Sequence, residues 1–506
     1  MRTIPRKAGV TMAVANEGPG SQAGQSRTAQ AIKPIPGGNS LYESYQKVHP
    51  RRISGTYRSI KWWMMGLLLT IFWVGPWLRW DRGPSVSDQA IFIDLPGRRA
   101  YFFFIEIWPQ EIYYLTGLLI IAAVGLFFAT ALLGRVWCGF ACFQTVFTDL
   151  FVAVERLIEG DRNSRIKRDG SPMTADTLMR KTLKTVIWVL ISLAVGIGFI
   201  LYFYPAPWPA IVDIVTFNAG VAAYGTLAVV GGGCLIMAGY AREQVCLYMC
   251  PYARFQSAMV DEDSMIVTYE KWRGEPRGKY SRDADFSQRG DCVDCGLCVQ
   301  VCPTGVDIRE GTQLGCIGCG LCVDACNSVM TRFGLPPNLI AYDSVTNQNA
   351  RAEGSSRRIR LIRPRTLVYS ALLLVVIGAM AVSLATRSRL DISVLHERSP
   401  LFVTMSDGSV RNGYTFKVLN MERVDNAFSL TTTGIAGATI EIVGVTKGPV
   451  TEANLPVAGD KVGTFRLYVS APRASLPAPT NDISFVLINS ATGQTQTYKS
   501  LFAGPR

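Results

Sequence analysis

The sequence predicts a multidomain membrane protein: an α-helical transmembrane bundle of five spans, a small cysteine-patterned domain set before the last span, and a C-terminal all-β sandwich of immunoglobulin type. Three observations predict it. Apolar runs close to the ~20 residues that cross hydrocarbon recur between residues 59 and 388. Two copies of C-x2-C-x2-C-x3-C lie between Cys292 and Cys326. Beyond residue 389 the chain turns to short alternating segments separated by turn residues, and it contains no cysteine.

Composition narrows the classes. A net charge of +13 would suggest nucleic acid in a soluble chain, but 49% of the residues are hydrophobic and the basic ones flank the apolar runs. That is the pattern of positively charged inner loops, so a lipid bilayer and not nucleic acid is the expected partner. His49 and His396 are the only histidines and stand far apart, and no C-x-x-C-H occurs. Haem ligation is therefore excluded, and each histidine is read as an ordinary surface residue.

Residues 1–58 are polar and aperiodic and read as a flexible cytoplasmic tail. The first apolar run begins too far in, and is too long, for a cleaved signal peptide. Residues 59–258 form a region of four spans: Trp62–Trp80, Ile112–Gly134, Thr185–Tyr204 and Ala219–Gly239. Residues 259–350 are the cysteine-patterned domain, and 351–388 are a basic linker with the fifth span, Thr366–Thr386. Arg51, Arg52, Arg58 and Lys61 precede the first span, Arg135 and Arg162–Arg168 follow the second, Arg242 follows the fourth, and Arg357–Arg365 precede the fifth. Pro205–Asn218, between the third and fourth, has no Lys or Arg. The bias puts the N-terminus and the cysteine domain in the cytoplasm, the reducing side.

The doubled spacing is that by which thiolates hold cubane [4Fe–4S] clusters in bacterial-type ferredoxins, with the fourth cysteine of each motif crossing to the other cluster. One cluster is assigned Cys292, Cys295, Cys298 and Cys326, the other Cys316, Cys319, Cys322 and Cys302. Zinc is the rival for C-x2-C. Eight evenly patterned cysteines, the Cys302-Pro303 step and the small residues between ligands favour iron–sulfur. A disulfide framework is disfavoured on the reducing side.

A second set of thiols stands at the membrane edge. Cys138 and Cys142 follow the second span, and Cys246 and Cys250 follow the fourth, as a diverged repeat of span, basic residue and C-x3-C. On a helix, cysteines four apart share a face. The four soft ligands can hold copper, zinc or another iron–sulfur centre, in one site or two, or can cycle as dithiols. The bland alternative is apolar packing. Cys234, alone in Gly231-Gly-Gly-Cys234, is assigned to packing, its glycines to close helix contact.

In residues 389–506, Tyr414–Val418, Thr439–Ile442, Thr464–Val469 and Ile483–Ile488 alternate as half-buried strands. This domain is placed in the periplasm by the odd number of spans. Contact with a partner is its expected role.

These motifs together resemble the CcoG (also called FixG or RdxA) family of cytochrome c oxidase accessory proteins. The resemblance runs from about Pro50 to the C-terminus, through FIDLPGRRAYFFF, WPQEIYYLTGLLI, GRVWCGFACFQTVFTDLF, REQVCLYMCPYARFQSAMVD, CPTGVDIREGTQLGCIGC and DGSVRNGYTFKVLN. It implies a bacterial inner-membrane protein that reduces Cu(II) to Cu(I), a cupric reductase serving maturation of the cbb3-type oxidase. Its implied partners are oxidase subunits or copper-delivery factors and a cytoplasmic electron donor; a homo-oligomer is compatible. Membrane ferredoxins of nitrate and nitrous oxide reductase systems share spans with C-x3-C-P, so a quinol-linked electron-transfer subunit is the alternative, and a non-redox assembly scaffold a third. Three positions depart from the family pattern: Phe143 replaces the proline after Cys142, Asn327 follows Cys326, and His396-Glu397-Arg398 replaces Arg-Asp-Arg.

Overall fold

The computed structural model describes residues 47–83, 86–279, 289–355, 360–387 and 390–505, of which His49 onward forms one compact unit. The expected tail lies outside the described residues up to position 46, as do Arg357 and Arg358 of the basic flank. From His49 the chain is already packed. Arg51 N–H donates to Gln300 O at 2.8 Å, and Arg58 is buried, so the tail expected to reach residue 58 ends earlier.

Helix α1 (Thr56–Val74) starts on an acceptor supplied from far along the chain: the Asp324 carboxylate takes the Tyr57 and Arg58 backbone N–H at 3.2 and 2.8 Å. This meets the demand of a helix start for acceptors and for negative charge. A Cβ on Gly55 would overlap the Asp324 side chain, so glycine is required for the approach. Arg58 and Lys61 in the next turns face Asp149 at 2.9 and 3.8 Å. The predicted span Trp62–Trp80 is not one helix, because Gly75-Pro76 opens a short 3-10 turn and Pro76 has no N–H to continue the ladder.

A small antiparallel sheet follows, β1 (Ile91–Asp94), β2 (Arg99–Phe102) and β3 (Ile105–Ile107). Then come α2 (Tyr113–Leu133), α3 (Phe143–Glu159), α4 (Arg162–Asp169), α5 (Ala175–Ile200), α6 (Pro207–Val215), α7 (Val221–Cys234) and α8 (Pro251–Met259). Four helical stretches among the described residues are long and apolar enough to cross a membrane, Pro109–Leu133, Ala175–Phe203, Val221–Ala241 and Pro364–Thr386, where five had been expected. The amphipathic α3 was not anticipated as a helix. It carries Glu155, fully buried among Arg165 (2.9 Å), Arg242 (3.0 Å) and Lys184 (3.6 Å), with Lys184 also 2.7 Å from Glu159.

The cysteine domain consists of β4 (Ile266–Tyr269), α9 (Lys271–Gly274), α10 (Leu297–Val301), α11 (Leu321–Arg332), β5 (Ile340–Asp343) and α12 (Val345–Ala352), with β4 and β5 paired antiparallel. Helix α13 (Pro364–Thr386) then runs antiparallel to α2. Arg363 donates to Ala131 O at one end (2.7 Å), and Tyr114 meets Ser383 at the other (3.0 Å).

The C-terminal domain contains β6 (Leu390–His396), β7 (Val403–Thr404), β8 (Val410–Asn420), β9 (Asn426–Thr433), β10 (Thr439–Ile442), β11 (Glu452–Val457), β12 (Lys461–Ala471), β13 (Thr480–Asn489) and β14 (Thr495–Ala503). One sheet runs β10-β12-β8-β6 with β7 on β8, the other β11-β9-β13-β14. Alternate residues of both sheets fill the core, led by Tyr414, Phe416, Phe428, Phe485 and Phe502. Without a disulfide, polar clamps tie the sheets: Tyr414 donates to Leu501 O at 2.8 Å, and Asn412 exchanges bonds with Ala503 at 2.8 and 2.9 Å. His396 is not a free surface residue, since it lies 2.7 Å from Asn412 and over Tyr414. His49 likewise is half-enclosed, 3.6 Å from Asp169. The cysteine domain and the sandwich sit at opposite ends of the bundle, the sandwich joined to β2 by Arg99 donating to Asp460 O at 2.6 Å.

Candidate metal centres

Each C-x2-C-x2-C loop has the same backbone. Asp294 and Gly296 in the first, and Gly318 and Gly320 in the second, all take positive φ (47°, 62°, 65° and 71°). The alternation coils each loop, and α10 and α11 start immediately after Gly296 and Gly320. One small cavity is lined by Cys292, Cys295, Cys298 and Cys326, and a second by Cys302, Cys316, Cys319 and Cys322, with Cys298 standing between the two. The fourth cysteine of each motif thus reaches the other motif's cavity. The rest of the walls are mostly apolar, and no carboxylate lines either cavity. Arg309 enters the first, held by Asp307 at 2.7 Å and Asp294 at 2.6 Å.

Burial pushes the Cys298 thiol up to about 11, and Cys316 and Cys326 up to about 12, with Cys319 and Cys322 also raised. Thiols so enclosed lose their protons only to a cation of high thiolate affinity, so this apolar, sulfur-lined pair of cradles fits iron–sulfur clusters. No three Cys, His, Asp or Glu side chains among the described residues converge tightly enough for a single ion. A cubane does not need that, because each thiolate takes a different corner.

The two membrane-edge pairs are held alike, but not on α-helix as expected. Each sits on a π-helical turn, Trp137–Ala141 and Val245–Met249, after which Cys142 and Cys250 are extended and donate N–H to Trp137 O and Val245 O, both at 2.8 Å. Four residues before the first cysteine of each pair, Gly134 (φ 58°, ψ −127°) and Arg242 (φ 43°, ψ −112°) make the same turn out of the span. Arg242 is fixed in that conformation by Gly239 O at 2.8 Å and by Glu155. Phe143 opens α3 just as Pro251 opens α8, so the missing proline leaves the loop's conformation unchanged.

Both loops press on the second ferredoxin loop. Cys138 and Cys246 pack in one apolar cluster with Cys319, Cys322, Val301 and Ile317. A Cβ on Gly139 would stand 2.7 Å from Gly318 O and 3.0 Å from Cys319 Cα, so only glycine permits this approach. Arg135 crosses the junction, donating to Leu314 O, to Cys316 O at 3.0 Å and to Gln256 at 3.0 Å. Gln256, fully buried, accepts from the Cys138 thiol at 3.1 Å. Burial pushes Cys138 up to about 12 and Cys246 to about 11, while the Arg135 cation pulls both down. Cys142 and Cys250 add to the upward push on both thiols, which places all four in one electrostatic neighbourhood. Arg135, Gln256 and Asp324 were not singled out from sequence, since nothing in an isolated Arg, Gln or Asp announces a distant partner. Cys234 packs beside Phe151, Trp188 and Ala238, away from this junction. Of its glycines only Gly231 touches a neighbouring helix, its added Cβ falling 2.9 Å from Ser192 O.

Family models match three stretches: a 4Fe-4S binding domain over residues 115–159, a 4Fe-4S dicluster domain over 241–345, and the IG-like fold at the C-terminus of FixG over 380–505. Fold and site define a membrane-bound iron–sulfur electron-transfer protein. RdxB of Cereibacter sphaeroides is 44% identical over 472 residues, covering 92% of this chain and 98% of RdxB. The nitrogen fixation protein FixG of Rhizobium meliloti is 41% identical over 493 residues (92% and 94%), and RdxA of Cereibacter sphaeroides 45% over 441 (87% and 92%). The chain belongs to the FixG/RdxA family. Among solved structures, a FixG-related protein from Vibrio parahaemolyticus aligns over 24% of this chain and 100% of its own at 21% identity and TM-score 0.20.

Proposed function

We propose that this protein is a cupric reductase of the bacterial inner membrane that supplies Cu(I) for maturation of a cbb3-type oxidase. The carrying observation is that Cys138 and Cys246 share an apolar cluster with Cys319 and Cys322. In this reading Cys292, Cys295, Cys298 and Cys326 hold one [4Fe–4S] cluster, and Cys316, Cys319, Cys322 and Cys302 the other. Bound there, the clusters supply one-electron reduction to whatever the neighbouring thiols hold. Cys138, Cys142, Cys246 and Cys250 receive Cu(II) as substrate, and their soft sulfurs favour the Cu(I) product. Arg135 pins the first thiol loop to the cluster loop, and Gln256 orients the Cys138 sulfur.

Helix α1 is the fifth crossing: it runs from Asp324 in the cysteine domain to the far end of the bundle, where Tyr202 donates to Phe72 O at 2.9 Å. The basic flanks then set the cysteine domain in the cytoplasm, within reach of a reductant there, and the sandwich in the periplasm, where it meets the oxidase or its assembly factors. The test replaces Cys246 and Cys250 by Ser in the full-length protein and measures Cu(II) reduction after anaerobic pre-reduction. Loss of reduction with iron content retained is expected; an unchanged rate removes these thiols from the mechanism.

A further inference from the structure

A cleft of about 520 Å³ opens between the helices of the bundle, beside the first thiol loop. Its walls come from α1, α5 and α7, with Phe72, Phe199 and Val229 toward one end and Gly233 in the side. From Val229 to Met237, both in the lining, it extends roughly 12 Å along the helix axis. Its other end is formed by Ala141, Phe143 and Gln144, which bracket Cys142.

Gln144 is the polar feature of this apolar space. Its side chain is nearly buried, and its amide nitrogen is committed to Met237 O at 2.8 Å, to Thr148 at 3.2 Å and to Arg242 O at 3.3 Å. Those bonds fix which way the amide faces. Oε1 takes no hydrogen bond from the protein among the described residues, and as a carbonyl oxygen it can only accept one. An acyl chain, the default filler of a lipid-facing cleft, has no donor to offer. A hydroquinone has two O–H groups on a flat ring, with an isoprenoid tail suited to the apolar walls.

From this geometry we infer that the cavity is a binding site for an isoprenoid quinol, its ring at Gln144 beside Cys142 and its tail along α7. This extends the copper-reduction reading and rests on it for the redox step, giving the interface thiols an electron source from within the membrane besides the cytoplasmic one. One quinol reduces two Cu(II) held in turn by the interface thiols: QH2 + 2 Cu(II) gives Q + 2 Cu(I) + 2 H⁺. Its two electrons leave singly, and both hydroxyl protons pass to the aqueous side. Gln144 positions the hydroxyl and is not itself oxidised or protonated.

Two glycines give a clean test. A Cβ at either Gly232 or Gly233 meets no atom within 4 Å, and only Gly233 lines the cavity. Gly233→Phe therefore starts its side chain in open space on the cavity wall, and Gly232→Phe is its control. The experiment uses full-length protein in phosphatidylcholine vesicles, titrated with decylubiquinol, with iron content reporting the fold. Saturable binding is expected in wild type and in Gly232→Phe, weakened at least tenfold in Gly233→Phe and about fivefold in Gln144→Leu, which removes the one hydrogen bond to the ligand along with the amide's bonds to Met237, Thr148 and Arg242. If Gly233→Phe loses its iron, Gln144→Leu decides. Equal affinity in both Phe variants, an unchanged Gln144→Leu, or quinol uptake that rises with vesicle lipid and never saturates overturns the site. Cu(II) reduction is followed separately. Quinol that binds as expected while neither it nor the cytoplasmic route reduces copper sinks the copper reading and leaves the site standing, whereas copper reduced by the cytoplasmic route with no quinol bound does the opposite.

Discussion

Replacing Glu155 by Gln probes how the bundle holds the second thiol loop. Burial alone would raise this carboxyl, but Arg242, Arg165 and Lys184 outweigh it and hold it at about 2, against an ordinary 4.5. The group is lowered on folding, so its contribution is complete above the unfolded value near 4.5 and is lost as pH falls toward 2. A difference of roughly 2.5 units corresponds to about 3 kcal/mol at neutral pH. Gln removes that contribution and takes this carboxylate from Arg165 and Arg242, while Lys184 keeps Glu159, a loss on the order of 3–5 kcal/mol. Thermal unfolding of the purified protein between pH 3.5 and 8 measures it. The Glu155→Gln midpoint should lie about 5 °C or more below wild type, by a gap constant from pH 8 to 5 that narrows below about 4.5. Because Arg242 makes the turn into the Cys246 loop, Cu(II) reduction should fall as well. Equal midpoints at pH 7, or a gap that widens on acidification, would refute the reasoning.

Other perturbations separate the remaining contacts. Cys302→Ser should abolish the cluster of Cys316, Cys319 and Cys322, and Cys326→Ser that of Cys292, Cys295 and Cys298, each leaving about half the iron; paramagnetic resonance of the two variants should show complementary halves of the wild-type spectrum, and identical spectra would contradict the crossing. Gly139→Val drives a branched side chain at the Gly318 and Cys319 backbone, costing about 1–3 kcal/mol; single-turnover Cu(II) reduction should slow with iron content preserved, and wild-type kinetics would argue against this approach as the electron route. Asp324→Ala leaves the Tyr57 and Arg58 N–H groups without their acceptor, a loss of about 1–3 kcal/mol visible as a lowered unfolding midpoint, with Asp324→Asn recovering part of it.

The eight-cysteine pattern was legible because ligand spacing is local: Gly296 and Gly320 coil their loops wherever the domain sits. The strands of the sandwich were legible for a similar reason, as alternation along Tyr414–Val418 or Ile483–Ile488 records which face is buried. Hydropathy found α2, α5, α7 and α13 but overran α1, where Gly75-Pro76 ends the helix inside an apolar run. It also passed over α3, whose Glu155 and Asp149 look like solvent-facing charges until Arg165, Arg242, Lys184 and Arg58 are brought to them. The π turns were hidden because C-x3-C suits several backbones equally well. What no local pattern could convey was the docking of Cys138 and Cys246 on Cys319, a contact across more than 70 residues of chain for one and 180 for the other.

The acceptor at the head of α1 bears on how this protein is made. Tyr57 leaves the ribosome 267 residues ahead of Asp324, so the leading turn of α1 waits through about half of synthesis for its partner. That partner rides on α11, between Cys322 and Cys326, two of the cysteines assigned to hold the clusters. In the proposed reading, cluster loading on α11 therefore latches the head of α1, and a chain starved of iron would leave that end unfastened.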